Sequence, residues 1–117
     1  MQGKIYALNP VEKFYNDLPL EQAQSAAADL TYASLGIAVG KVSYEAWQDI
    51  PPVYIIAEND KTIPPHRQRW MIEKTRAKGA KWEVESCNSG HSPFLSMPEW
   101  TSKVIRKAAG EQVDRLD

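Results

Sequence analysis

Residues 53–57, Val-Tyr-Ile-Ile-Ala, form an unbroken β-prone apolar run. Such runs lie inside parallel sheets, covered on both faces. Pro51 and Pro52 mark its start, and Glu58-Asn59-Asp60 is a polar break at its end. Pro64 and Pro65 then open a helix expected over 65–78, which Gly79 ends. Lys81 to Ser86 reads as a second strand. Ser96-Met97-Pro98-Glu99 fits a capping box, and the last helix is expected over 98–109, stopping at Gly110. A strand-helix-strand unit of this length predicts a parallel pair with a right-handed crossover. Two strands make a poor independent sheet, so the pattern reads as the end of a larger fold. The unpaired edge of the first strand predicts self-association.

The first half, roughly residues 1–50, has a different pattern. It is alanine-rich and helix-leaning. Phe14-Tyr15-Asn16-Asp17-Leu18-Pro19 reads as a helix end followed by a new start, with Pro19 in the first turn. Glu21 to Leu30 holds strong helix formers, and Leu18, Ala23, Ala26, Ala27 and Leu30 form a candidate buried stripe. Gly36 and Gly40 weaken any helix in the next segment. Ser43 is a candidate cap for a short turn ending near Trp47.

Composition narrows the function classes. The chain has 117 residues, enough for one ordinary domain. It is 43% apolar and 25% charged, as globular proteins are. A formal net charge of −1 gives no reason to expect nucleic acid or an anionic membrane as partner. No apolar run approaches a membrane span, and Met1-Gln2-Gly3-Lys4 leads into no signal-peptide core. The single cysteine, Cys87, makes no internal disulfide. The expected address is cytoplasmic.

The chemistry gathers at two strand ends. Asp60 follows the first predicted strand and His91 the second, and this edge of an open α/β sheet is where sites are built. A carboxylate that orients an imidazole makes it a base and then an acid. Gly90 permits a tight backbone beside His91, and Ser92-Pro93 starts a short helical turn. Alone, His91 also reads as a turn residue bonded to backbone, and Asp60 as a turn or helix-cap residue. Glu58 is the rival acid. His66 falls in the first turn of a helix and reads as solvated. Two histidines and one cysteine give no metal-ligand spacing. Cys87 reads as a buried strand-end thiol rather than a nucleophile. Trp47, Trp70, Trp82 and Trp100 read mostly as packing residues. Lys74, Arg76, Lys78 and Lys81 read as a solvated face.

These residues resemble a known family. Pro51 to Pro64, then Gln68-Arg69-Trp70-Met71-Ile72, then Ser89-Gly90-His91-Ser92-Pro93-Phe94-Leu95-Ser96, are similar to the C-terminal part of α/β-hydrolase fold enzymes. The branch is that of plant methylesterases and hydroxynitrile lyases, with fungal and bacterial relatives. Phe14-Tyr15-Asn16-Asp17-Leu18-Pro19 and Ala46-Trp47-Gln48-Asp49-Ile50-Pro51 resemble the cap of that branch and its return to the core. The resemblance implies a partial α/β-hydrolase fold: residues 1–50 as the rear of a helical cap, and 51–117 as the last two parallel strands with their helices. It implies Asp60 as triad acid, His91 as triad base, and Trp47, Phe94 and Leu95 near the substrate pocket. It implies a serine-dependent hydrolase of small esters, with no cofactor or metal.

The nucleophile does not carry over. No Gly-x-Ser-x-Gly elbow occurs in the chain, and in this fold the serine precedes the acid and the histidine. Tyr32-Ala33-Ser34-Leu35-Gly36 is the nearest match; it lacks the first glycine and follows no predicted strand. The elbow is therefore expected upstream of Met1, and the chain alone is expected to be inactive. The rival expectation is a non-catalytic remnant or a partner-dependent binding protein.

Overall fold

The structure, a computed structural model, describes residues 3–116. The readings at Met1, Gln2 and Asp117 lie outside the described residues. The elements run β1 (Lys4–Ile5), α1 (Pro10–Phe14), α2 (Leu20–Ala28), β2 (Ala33–Ser34) and α3 (Leu35–Val39). A single 3-10 turn, Ala46–Gln48, follows. The rest is β3 (Val53–Ala57), α4 (Pro65–Arg76), β4 (Glu83–Cys87), α5 (Pro93–Ser96) and α6 (Pro98–Ala108).

β3 and β4 pair in parallel, from Val53 opposite Glu83 to Ala57 opposite Cys87. The side chains of β3 alternate between two helices, as a pleated strand requires. Val53 and Ile55 pack toward Trp100 and Val104 of α6, together with Cys87. Ile56 lies with Val84 beside Ile72, Arg69 and Glu73 of α4. The helices therefore cover opposite faces of the sheet. Each does so through one stripe: Gln68 and Ile72 in α4, Trp100, Thr101 and Val104 in α6. This is an α/β arrangement, as the alternation of runs and punctuation predicts.

The structure corrects several local readings. β4 starts two residues later than expected, at Glu83. Gly79 reverses the chain at φ +104°, and Ala80 N–H still bonds back to Thr75. The capping box at Ser96 does not form. Ser96 ends α5 and its hydroxyl bonds back to Ser92 O, so Met97 caps α6 without a side-chain bond. Pro19 stands at the cap of α2 rather than inside its first turn. Of the expected alanine stripe, Ala23 is buried, but Leu30 lies beyond the helix and is exposed. Trp100 is buried, whereas Trp70 is 56% exposed, with the Lys74 ammonium over its ring. The small antiparallel pair β1–β2 and the short helices α1 and α3 have no periodicity long enough to read in advance.

The core is thin. Its radius of gyration is 16.0 Å, against roughly 13 Å for a compact chain of this length. Leu8, Leu20, Ile37, Val39, Val42 and Ile50 are exposed, and β3 has a strand neighbour on one edge only among the described residues. Apolar surface on this scale drives association. The isolated 117-residue chain is therefore expected to sediment as concentration-dependent oligomers in analytical ultracentrifugation; a sharp monomeric boundary at all concentrations would contradict this.

Candidate functional site

Asp60 sits in the turn that leaves β3, and its two carboxylate oxygens have separate tasks. Oδ1 accepts from the backbone N–H groups of Thr62 and Ile63, at 2.7 and 3.0 Å. This is the turn chemistry that aspartate favours. Oδ2 faces His91 Nδ1 at 2.9 Å. The Asp60 side chain is only 6% exposed, whereas that of His91 is 32% exposed. One side chain thus both closes the turn and faces the imidazole.

The His91 loop is laid directly against the Asp60 loop. The N–H of Glu58 donates to Cys87 O, and that of Asn59 to Ser89 O, extending the β3–β4 ladder beyond both strands. Ser89 is fully buried, with its hydroxyl on Gly90 O and beside the Cys87 sulfur. The Phe14 ring stacks on the imidazole, centroids 5.3 Å apart and planes 27° apart. Facing an ionised carboxylate, the neutral imidazole carries its proton on Nδ1. Nε2 is then the basic nitrogen, on a ring that is partly open to solvent. The arrangement can take a proton from a donor and return it.

Gln68, quoted above only within the family resemblance and given no role there, braces the end of β3. It is 2% exposed, on the buried stripe of α4. Its amide oxygen accepts from Ala57 N–H at 3.0 Å, and its amide nitrogen donates to Ala57 O at 3.0 Å and to Ile63 O at 2.7 Å. The side chain acts as a one-residue strand on the free edge of β3. It also ties that strand end to Ile63, which itself donates to Asp60. The available signal was a glutamine one helical turn before Ile72, where an apolar residue is the default.

Other candidates fall elsewhere. Glu58 is engaged by Ser86 and Arg69, at 2.6 and 2.5 Å, and not by His91. Phe94 and Leu95 lie in α5, directly after the histidine loop, and both are exposed. Trp47 is corrected: it lines a depression with Pro51, Pro52, Gly79 and Lys81, at the opposite end of the sheet. It precedes β3 by only a few residues, and a five-residue strand carries the Asp60 end roughly 17 Å away. Cys87 is buried with Ser89 as its polar neighbour. His66 is exposed in the first turn of α4. Ser34 does end a strand, the two-residue β2, contrary to expectation. Its φ of −72° is relaxed, however, and its hydroxyl accepts from Gly36 N–H as a helix cap. Among the described residues no group of three or more His, Cys, Asp or Glu could hold a metal, and no helix is long and apolar enough to cross a membrane.

Two predictions follow from these bonds. Gln68→Ala leaves the Ala57 N–H and Ile63 O without their partner, and Ala57 O with the Asp60 N–H alone, which is expected to cost about 2–4 kcal/mol. Urea unfolding checks this; a change below about 0.5 kcal/mol, ordinary for surface sites, would contradict it. The second concerns Glu58, whose carboxyl is held below its ordinary value of 4.5 by the Ser86 hydroxyl and then by the Arg69 guanidinium. A depressed folded pKa stabilises above the unfolded value and loses that stabilisation as pH falls through the folded one. Stability is therefore expected to fall below about pH 4.5, and less steeply in Ser86→Ala. Equal slopes in the two melting series would contradict the assignment.

The chain is similar to known proteins. The family model described as "Alpha/beta hydrolase family" matches residues 3–104. The chain is 36% identical over 72 residues to Alpha/beta hydrolase nvfD of Aspergillus novofumigatus, covering 62% of this chain and 28% of that protein. It is 31% identical over 96 residues to Probable hydrolase R7 of a Phoma species, covering 81% and 39%. It is 30% identical over 113 residues to Methylesterase 1 of Arabidopsis thaliana, covering 97% and 40%. The chain thus spans between 28% and 40% of the length of these relatives. With parallel strands of the expected order and a family match over most of its length, the chain belongs to the α/β-hydrolase family.

Proposed function

We propose that this chain contributes the acid and the base of a serine-dependent hydrolase of small esters. The observation that carries the reading is the 2.9 Å approach of His91 Nδ1 to Asp60 Oδ2 beyond two parallel strand ends. In this reading residues 1–50 are the rear of a helical cap and residues 51–117 the last strands and helices of the core. The nucleophilic serine lies outside the 117 residues, among which no Gly-x-Ser-x-Gly occurs. The name of the plant relative, Methylesterase 1, supports an ester as substrate class.

The chemistry follows from the tautomer. Nε2 takes the serine proton while the serine oxygen attacks the ester carbonyl carbon. Asp60 stays ionised, held by the Thr62 and Ile63 amides, and stabilises the imidazolium. The tetrahedral intermediate collapses, the bond to the alcohol oxygen breaks, and Nε2–H protonates that leaving oxygen. Water then gives a proton to Nε2 as its oxygen attacks the acyl-serine. Collapse releases the carboxylic acid, and the imidazolium returns its proton to the serine. Phe94 and Leu95, exposed beside the histidine loop, offer apolar surface to the substrate.

A second reading is a chain that binds a ligand or partner without turnover. One observation favours it: Ser34, the nearest match to an elbow serine, is used as a helix cap. Both readings expect the isolated chain to hydrolyse p-nitrophenyl acetate no faster than buffer. Turnover abolished both by His91→Ala and by a serine-directed phosphonate would contradict the absent nucleophile. They part in the polypeptide that carries the serine. There the hydrolase reading predicts that Asp60→Asn and His91→Ala each lower kcat by about 100-fold or more, whereas the binding reading predicts no turnover to lose.

A further inference from the structure

The end of α1 and the turn after it bond to residues on either side of Asp60 and of His91. Thr62 donates its hydroxyl to Lys13 O at 2.5 Å, and Asn59 O accepts from Asn16 Nδ2 at 3.0 Å. Ser92 donates its hydroxyl to Phe14 O at 2.7 Å, and the Gly90 N–H donates to Asp17 Oδ2 at 2.8 Å. Residues on both sides of Asp60, and on both sides of His91, are therefore bonded to residues 13–17.

The contact at Gly90 is close enough to dictate the residue. A Cβ there would stand 2.1 Å from Asn16 Oδ1 and 2.9 Å from Asp17 Oδ1. Both of those oxygens are buried and have no hydrogen-bond partner. Orphaned buried oxygens are costly. Fold stability alone does not favour placing two of them beside one glycine. Strained or unsatisfied arrangements of this kind persist where a geometry is required for function.

We infer that Asn16 and Asp17 are positioning residues. They hold the Gly90 amide and the Asn59 carbonyl so that the His91 ring meets Asp60 through Nδ1. The inference rests on the hydrolase reading. Its chemical content is specific: without the Asp17 acceptor, the Gly90–His91 backbone is free to shift. A displacement of about 1 Å at such a site is enough to uncouple a catalytic pair. The ring then loses its preference for the Nδ1–H tautomer, and Nε2 is no longer held as the base.

The test reads the tautomer directly. Sedimented, 15N-histidine-labelled protein in a His66→Gln background shows His91 alone, whatever the association state of the chain. Magic-angle-spinning 15N spectra at about pH 8.5, two units above the ordinary histidine value, report which ring nitrogen carries the proton. The intact chain is expected to show the Nδ1–H pattern alone. Asp17→Ala is expected to show both tautomers in comparable amounts. Asp17→Asn, which keeps an acceptor oxygen for Gly90, is expected to restore the single pattern. Should Asp17→Ala not fold, Asp17→Glu keeps charge and polarity but moves the acceptor by a methylene, and mixed tautomers are expected there too. A single Nδ1–H pattern in folded Asp17→Ala or in Asp17→Glu overturns the positioning role and leaves the Asp60–His91 pair intact. Absence of that pattern in the parent chain overturns the pair itself, and the positioning role with it.

Discussion

Among the described residues β3 has a strand neighbour on one side only, and the polar groups on its other side must be satisfied by different means; at the end of the strand a side chain does so. The Gln68 amide bonds both polar groups of Ala57 and then reaches Ile63 O. That choice settles where the chain goes next. Ile63 is fixed relative to the strand, its N–H and that of Thr62 converge on Asp60 Oδ1, and Oδ2 is left to face His91. The acid is therefore oriented by backbone groups that do not involve the histidine.

The histidine is oriented from the other direction. Its loop continues the β3–β4 ladder through Asn59 and Ser89, and the helical segment closes over it through Phe14, Asn16 and Asp17. The two halves of the chain, so different in composition, meet at this point. The core proper is small, built around Cys87, Trp100 and Val104. Much of the definition of the site comes from polar contacts between loops rather than from apolar burial. Such networks specify geometry well and tolerate the loss of a member poorly.

Part of this was legible in the sequence. The continuous apolar run at Val53–Ala57, with prolines before it and a polar break after it, marks a parallel strand, of which Ile56 and Ala57 are buried and the first three residues half-buried. Asp60 and His91 stand out because each follows such a strand. Gln68 was hidden because a polar residue on a buried stripe reads as an exposed one until its partners are known. Asn16 bonds across 43 residues of chain and Asp17 across 73, separations that no local pattern encodes. Trp47 was misplaced although simple geometry excluded it: a residue just before a strand lies at the wrong end to meet one just after it. Ser34 shows the reverse case, where a two-residue strand too short to predict produces a strand-serine-helix order without the strained backbone of a nucleophile elbow.

The central claim is that His91, oriented by Asp60, is the base for a serine that these 117 residues do not contain. Its most direct test is fluorophosphonate labelling of the native protein, captured from its source with an antibody to this chain, followed by mass spectrometry of the labelled peptide. The account predicts a label on a serine outside the present sequence, in the same polypeptide or a tightly bound one, and its loss in His91→Ala. A label on Ser34 or another serine of this chain, or native protein that takes no label at all, would contradict it.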